Sequence, residues 1–386
     1  MRALAQQELN AETAHLLLLD TSLRLQGQAT LLERVKEESS RSQDDTNNPQ
    51  NPGVIRAATT SSVSANLLDW KGHLEREKAL QTALHQSHRM LENVSRLHRD
   101  TLNLTTELLN TGKIWSEFST AHQNLIAATL EQIRSRHATT LETIADWVIL
   151  LRNARGSPTS FESLTPFLRG RLAVQILCDQ YIALKRGRSS VSLDCPLRVV
   201  LEEAKTEAAM LCDAHYQSSP EVALPGQDIP NITLVRPWIH HALVEVLKNA
   251  MVSSMKVAER EDTAPPLIQV EIVKDPDFVS ILVRDGGTGL ADPSRAFTFA
   301  SSSADQRWDR LDVQQSYAAV RSPLQSLGVG VPCSLWLLQH FGGKLKLANN
   351  RGQGCTATLS LPRNDTIPEY LPIDDDDYLL CTDAPS

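Results

Sequence analysis

His241, Glu245 and Asn249 stand four residues apart in the stretch His241-Ala-Leu-Val-Glu245-Val-Leu-Lys248-Asn249. On a helix, that spacing lines an imidazole, a carboxylate and a carboxamide along one face. A carboxylate can take a proton, a neighbouring imidazole can orient and polarise it, and an amide oxygen can ligate Mg²⁺. The spacing by itself is a weak signal, because a polar helix face turned to solvent has the same composition. Lys248, three residues past Glu245, can meet phosphate charge or form a plain salt bridge. A second group, Asp285-Gly286-Gly287-Thr288-Gly289, follows an apolar run that reads as a strand. An Asp at a strand end beside bare backbone can accept a hydrogen bond from an exocyclic amine while a flat ring enters; a tight turn has the same residues. The third group, Gly328-Val329-Gly330-Val331-Pro332, opens a helix, where amide N–H groups and the helix dipole can meet phosphate.

These groups need a scaffold, and the glycines show where it changes. Nine of the seventeen glycines lie between Gly286 and Gly354. A Gly-poor part followed by a Gly-rich one predicts a helical domain and then a mixed domain with close backbone approach to a ligand. Ala3 to Glu37 reads as helix, and residues 38–66 as a polar, aperiodic linker or insertion. In a helix expected over about 116–153, Ile126, Leu130, Ile133, His137, Leu141, Ile144, Val148 and Leu151 make one apolar stripe. Further helices are expected at about 160–185 and 196–217, which makes an antiparallel four-helix bundle the default packing. After Pro237 come a helix (about 238–259), strands at 267–273 and 279–284, a helix after Pro332, and strands at 344–349 and 355–361. That pattern is an α/β layer, a mixed sheet covered on one face by helices. The expected domains are 1–66 (N-terminal helix and flexible insertion), 67–222 (helical bundle), 223–363 (α/β domain) and 364–386 (acidic tail).

Composition excludes several function classes. A length of 386 residues with 41% hydrophobic and 22% charged suits two domains. A net charge of −8 argues against a broad nucleic-acid surface. The six cysteines are scattered, without Cys-x-x-Cys or a nearby His pair, and read as buried thiols in a reducing compartment. The longest apolar stretches, such as Ala145 to Leu151, fall far short of the ~20 residues of a membrane span, so the chain is expected to be soluble. The first twenty residues carry one Arg but also Glu8, Glu12 and Asp20, which fits neither a transit nor a signal peptide. His98-Arg99-Asp100 spells the start of a conventional kinase catalytic loop, but no Asn lies five residues on and no Gly-rich loop precedes it. There is no P-loop motif. His137, on an apolar stripe, reads as a hydrogen-bonded core histidine, and Asp374–Asp377 as solvated charge.

Order and spacing bring the three groups together. Glu-x-x-x-Asn on a helix, then Asp-x-Gly-x-Gly, a variable stretch, Gly-x-Gly-x-Pro on a helix and Gly352-x-Gly354 between strands form a succession of boxes. It resembles the nucleotide-binding fold of histidine kinases, gyrase B, Hsp90-type chaperones and MutL. Within that fold the residues look like the mitochondrial 2-oxo acid dehydrogenase kinases, which act on the pyruvate or branched-chain complexes. Glu245-Val-Leu-Lys248-Asn249-Ala250-Met251 is close to that family's Glu-Leu-Phe-Lys-Asn-Ala-Met, and His241 matches its His–Glu pair. Leu211-Cys212-Asp213-x-x-Tyr216-x-x-Ser219-Pro220-Glu221 and Ile133-Arg134-x-Arg136-His137 resemble two further family stretches. The resemblance covers about residues 116–362; residues 1–66 and the acidic tail match nothing. The departures are Met251-Val252-Ser253-Ser254, where the family has Met-Arg-Ala-Thr; Gly354-Cys355-Thr356, where a Gly-Thr pair is usual; Thr165-Pro166 and Gln175, where the family carries charge, although Arg171 and Gln180 are kept; and the lid, which is unlike the family's.

The resemblance implies an ATP-dependent protein serine kinase, a divergent member that uses ATP and Mg²⁺. Asn249 would hold the Mg²⁺, and Asp285 would bind the adenine amino group. Gly287, Gly289, Gly328 and Gly330, with Val252, Val329, Val331 and Thr356, would border the nucleotide. Ser301 and Ser302, in a lid expected over 291–327, and Lys248 would face its phosphates. Glu245, oriented by His241, would be the general base toward a serine hydroxyl. The implied partners are the E1 α subunit of a 2-oxo acid dehydrogenase complex, a lipoyl domain of its E2 core and a second copy in a homodimer, and the implied location is the mitochondrial matrix. The first alternative is a catalytically weak or silent ATP-binding regulator of the same complex; a histidine kinase and a chaperone-type ATPase are the others.

Overall fold

The computed structural model describes residues 8–46, 63–111, 117–155, 163–226, 229–301, 328–350 and 353–363. They divide between two compact units, Asn10–Cys178 and the residues from Asp179 onward. The protein is helix-rich with a mixed sheet, in keeping with an α plus α/β class.

The first unit is built from α1 (Ala11–Thr46), α2 (Val63–Asn110), α3 (Thr120–Arg136), α4 (Thr140–Arg155) and the first part of α5 (Leu164–Lys185). In α1, Ala14, Leu18, Leu25, Leu32 and Val35 are buried at helical spacing. The helix runs on to Thr46, past the Glu37 at which its sequence pattern ends, and α2 starts at Val63. The stretch 38–66 is therefore helical at both ends, and its centre, 47–62, lies outside the described residues.

The single helix expected over 116–153 is two. α3 stops at Arg136 and α4 resumes at Thr140. The physical cause sits at His137. Its carbonyl accepts from the Arg171 guanidinium and from the Thr140 N–H, so it is withdrawn from the i+4 ladder. Its ring Nε2 lies 2.9 Å from the Thr101 hydroxyl, and its edge meets His98 at a centroid distance of 4.4 Å. Ile126, Leu130, Ile133, Ile144, Val148 and Leu151 all stay buried, so the apolar stripe carries across a break that spacing alone conceals. His137 is the hydrogen-bonded core histidine the stripe predicts.

The second unit contains β1 (Ser192–Cys195), α6 (Leu197–Tyr216), β2 (Val222–Ala223), β3 (Ile232–Leu234), α7 (Arg236–Glu261), β4 (Ile268–Lys274) and β5 (Phe278–Arg284). A 3₁₀ turn (Pro293–Phe297), α8 (Gly330–Gln339), β6 (Lys344–Asn349) and β7 (Cys355–Pro362) follow. The main sheet has the order β2-β4-β5-β7-β6; β2 runs parallel to β4 and the other neighbours are antiparallel. β1 and β3 form a separate antiparallel pair. Strict alternation gives the sheet one buried face: Ile268, Val270 and Ile272 of β4, Val279, Ile281 and Val283 of β5, and Leu359 and Leu361 of β7. This face joins the buried sides of α6 and α7 in one core. Pro237 in the first turn of α7 sets where it starts, and Asp262, left-handed at φ 52°, ends it. β1, β2 and β3 were not legible in the sequence, being 4, 2 and 3 residues long. Among the described residues, no helix is long and apolar enough to cross a membrane.

Candidate functional site

Between α7 and the ends of β5 and β7 lies a cavity of about 340 Å³. One face of α7 forms a wall of it through Val246, Asn249, Val252, Ser253 and Lys256. Those positions recur at three and four, so a single helical ridge meets the space. Asp285 and the loop after β5 form the facing wall, with Cys355 and Ala357 of β7 beside them; Ser301, Gly328 and Val331 border the cavity near the start of α8.

Asp285 is held by backbone. Its Oδ1 accepts from the Gly287 N–H at 2.9 Å and the Cys355 N–H at 3.3 Å. Burial still raises the Asp285 pKa above the usual carboxylate range, against the pull of those N–H donors. The backbone at Gly354 crosses the Asp285 carbonyl so closely that a Cβ could not fit, and its φ of +86° is one only glycine adopts freely. Burial, with the Asp285 charge adding to it, pushes the neighbouring Cys355 thiol up to about 11.

Glu245 and Lys248 are placed differently. Both are buried, with 7% and 5% of their surface exposed. The Lys248 ammonium donates to Glu245 Oε1 at 2.5 Å, while Oε2 has no hydrogen-bond partner among the described residues. Oε2 occupies the space a Cβ would need at Gly330, the first residue of α8. His241 lies one turn earlier on α7 and keeps an exposed side. Desolvation lowers its pKa; the Glu245 charge opposes that shift and Lys248 adds to it. Among the described residues, no hydrogen bond joins His241 to Glu245.

Of the residues the sequence singles out, Asn249, Val252, Asp285, Gly289, Ser301, Gly328 and Val331 border the cavity. His241, Glu245, Lys248, Gly287, Val329, Gly330 and Thr356 do not, and Ser302 lies outside the described residues. Thr356 instead donates its hydroxyl to Asn350 Oδ1 at 2.6 Å. Sequence reasoning passed over Lys256 and Arg295, the two basic side chains at the cavity among the described residues. Lys256 had a signal, since it stands seven residues past Asn249 on the same helical face. No group of three or more His, Cys, Asp or Glu among the described residues could hold a metal ion. The exposed Asn249 carboxamide can supply one oxygen, which suits Mg²⁺, a cation that takes few protein ligands and shares phosphate oxygens and water.

The class defined so far is a helical unit followed by a mixed-sheet unit, with a cavity between a helix ridge and an Asp-bearing strand end. Residues 74–209 match the family model of the mitochondrial branched-chain alpha-ketoacid dehydrogenase kinase. The chain is 29% identical over 257 residues to the mitochondrial pyruvate dehydrogenase (acetyl-transferring) kinase isozyme 4 of Ictidomys tridecemlineatus, covering 60% of either chain. It is 29% identical over 272 residues to human isozyme 1 (64% of this chain, 60% of the relative). Over 290 residues it is 29% identical to the Drosophila melanogaster kinase (67% and 68%). The chain is thus similar to the pyruvate dehydrogenase kinases and, over residues 74–209, to the branched-chain alpha-ketoacid dehydrogenase kinase. It spans 60% of the length of the isozyme 4 and human isozyme 1 relatives.

Proposed function

We propose that the protein is an ATP-dependent protein serine kinase that acts on the E1 α subunit of a mitochondrial 2-oxo acid dehydrogenase complex and down-regulates it. The observation that carries this reading is the cavity itself. It joins Asn249 on α7, Asp285 at the end of β5 and Gly328 before α8, the three boxes that the sequence separates by some eighty residues. In this reading the fold is an antiparallel four-helix bundle followed by an ATP-binding domain of the histidine kinase, gyrase B, Hsp90 and MutL type. Asp285 accepts from the adenine amine, and Asn249 supplies its oxygen to a Mg²⁺ that neutralises phosphate charge. The start of α8 offers N–H groups to the phosphates. Glu245 takes the proton of the substrate serine, for which the Lys248 ammonium must pass from Oε1 to a phosphate oxygen. A homodimer in the mitochondrial matrix, docked through a lipoyl domain of E2, completes the proposal.

One observation favours a second reading, a weak or silent ATP-binding regulator of the same complex. Glu245 is bound to Lys248 and does not line the cavity. Turnover separates the two. Labelled phosphate should pass from Mg-ATP to purified E1 α subunits as acid-stable phosphoserine, and Glu245→Gln should abolish it. Binding of ATP that depends on Asn249, without any transfer, would instead establish the silent regulator.

A further inference from the structure

The loop that follows Asp285 is gripped by side chains from both sides, and none of them belongs to the boxes that define the site. On one side, Ser253 Oγ of α7 accepts from the Thr288 N–H at 3.0 Å and lies 3.4 Å from the Thr288 hydroxyl. On the other, Asn349 at the end of β6 clips Leu290 twice: its Oδ1 accepts from the Leu290 N–H at 2.8 Å, and its Nδ2 donates to the Leu290 carbonyl at 2.6 Å. The next residue, Asn350, donates through Nδ2 to the Asp285 carbonyl at 3.2 Å. Asn350 is itself held, because its Oδ1 accepts from the Thr356 hydroxyl at 2.6 Å. Flipped end for end, the Asn349 carboxamide would lose both of its bonds and that of Asn350 its bond to the Asp285 carbonyl, which favours the orientations seen.

We infer that Ser253, Asn349 and Asn350, with Thr356 behind them, are positioning residues that aim Asp285 and so set which nucleobase the cavity accepts. The inference rests on the nucleotide reading of the site. Its chemical basis is the difference at ring position 6: adenine carries an amine that donates to a carboxylate, whereas guanine carries a carbonyl oxygen that a carboxylate repels. Discrimination therefore depends on holding the Asp285 side chain in one place. Gly287 and Cys355 N–H groups fix Oδ1, but both lie in the loop and strand end that the bracket holds. Removing the bracket lets the carboxylate shift or rotate, and the guanine oxygen is then no longer opposed. Thr356 acts here through Asn350 rather than on the ligand, which gives the displaced hydroxyl of the Gly354-Cys355-Thr356 box a function. The phosphate end, bordered by Asn249 and Gly328, is untouched by any of these contacts.

The test compares direct binding of Mg-ATP, Mg-GTP and adenosine to the full chain by calorimetry. Asn350→Leu keeps the branched shape and removes both hydrogen bonds. Its ATP affinity should fall about tenfold, the factor that roughly 1.4 kcal/mol of lost hydrogen bonding represents. Its GTP affinity should stay within about twofold, so that the ATP-to-GTP preference collapses. Thr356→Val, a smaller change, should move the preference the same way by a lesser factor, and it decides the matter if Asn350→Leu does not fold. Asn349→Leu should lower adenosine and ATP affinity together. Asp285→Asn is the control for the site. If it leaves ATP binding at the parent value, the nucleotide reading fails. If it abolishes the preference while Asn350→Leu and Thr356→Val keep it intact, the site stands and the positioning role is overturned. A parallel loss of ATP and GTP affinity in both variants overturns it as well, since a general loosening of the fold does that.

Discussion

The Lys248–Glu245 pair allows a quantitative test of how α7 is held. Both side chains are almost wholly out of solvent, at 7% and 9% exposure, and the ammonium meets Oε1 at 2.5 Å. Lys248→Met removes the cation and leaves both carboxylate oxygens buried without a partner, since Oε2 has none to begin with. Breaking a buried pair from one side costs about 3–5 kcal/mol, against about 0–1 for a surface pair. Lys248→Met with Glu245→Gln removes the stranded charge, so the double variant should recover about 2–3 kcal/mol of that loss. Because the chain has two compact units, one unfolding midpoint would blend two events. Hydrogen exchange of the α7 amides, read by mass spectrometry under native conditions, reports the local free energy instead. A Lys248→Met loss below about 1 kcal/mol, or a double variant no more stable than the single, would refute the buried-pair argument.

Three further outcomes follow from other groups. Burial first, then the charges of His98 and Arg171, bring His137 down to about 3, and burial brings His98 down to about 4. Each is neutral in the fold and takes a proton on unfolding below about pH 6.5, so stability should be full above that pH and fall by roughly 2 kcal/mol per histidine at pH 5; calorimetry at pH 7 and 5 that shows the same slope in His137→Gln and the parent would refute this. Protonation removes the acceptor on Asp285, whose pKa burial raises, so ATP affinity should fall on acidification already above the usual Asp range, and Asp285→Asn should flatten that dependence. Gly354→Ala sets a methyl against the Asp285 carbonyl at a φ of +86°, which should cost about 1–3 kcal/mol and weaken ATP binding; an unchanged melting temperature would contradict the close approach.

Patterns of one element were legible in the sequence, and contacts between elements were not. The α7 ridge and the alternation of β4 and β5 could be read because burial repeats at 3.6 and at 2. The break at His137 was hidden because Ile133 and Ile144 stay in phase on either side, and its cause is an arginine 34 residues away. The Asp285 and Gly328 boxes do border one cavity with Asn249, as their succession implies. Glu245 does not, because the side chain that claims its carboxylate is three residues along the same helix. That outcome was visible as one of two options for Lys248, and spacing could not choose between them. Ser253, Asn349 and Asn350 carried no signal at all. A carboxamide that clips a loop 59 residues away looks, in sequence, like any turn-forming asparagine.

The backbones of Ser301 and Gly328 approach so closely that a Cβ on Gly328 would strike Ser301. The described chain on either side of positions 302–327 is therefore in contact, Ser301 against Gly328. Closing a loop whose ends already meet depends only weakly on its length, with each doubling adding about 0.6 kcal/mol. The contact between Ser301 and Gly328 thus makes the position between them one where the chain can gain or lose sequence at little thermodynamic cost. A reporter domain spliced there should leave the sheet register and the Asp285 loop unchanged, so one copy of the protein could carry both the cavity and the means of watching it.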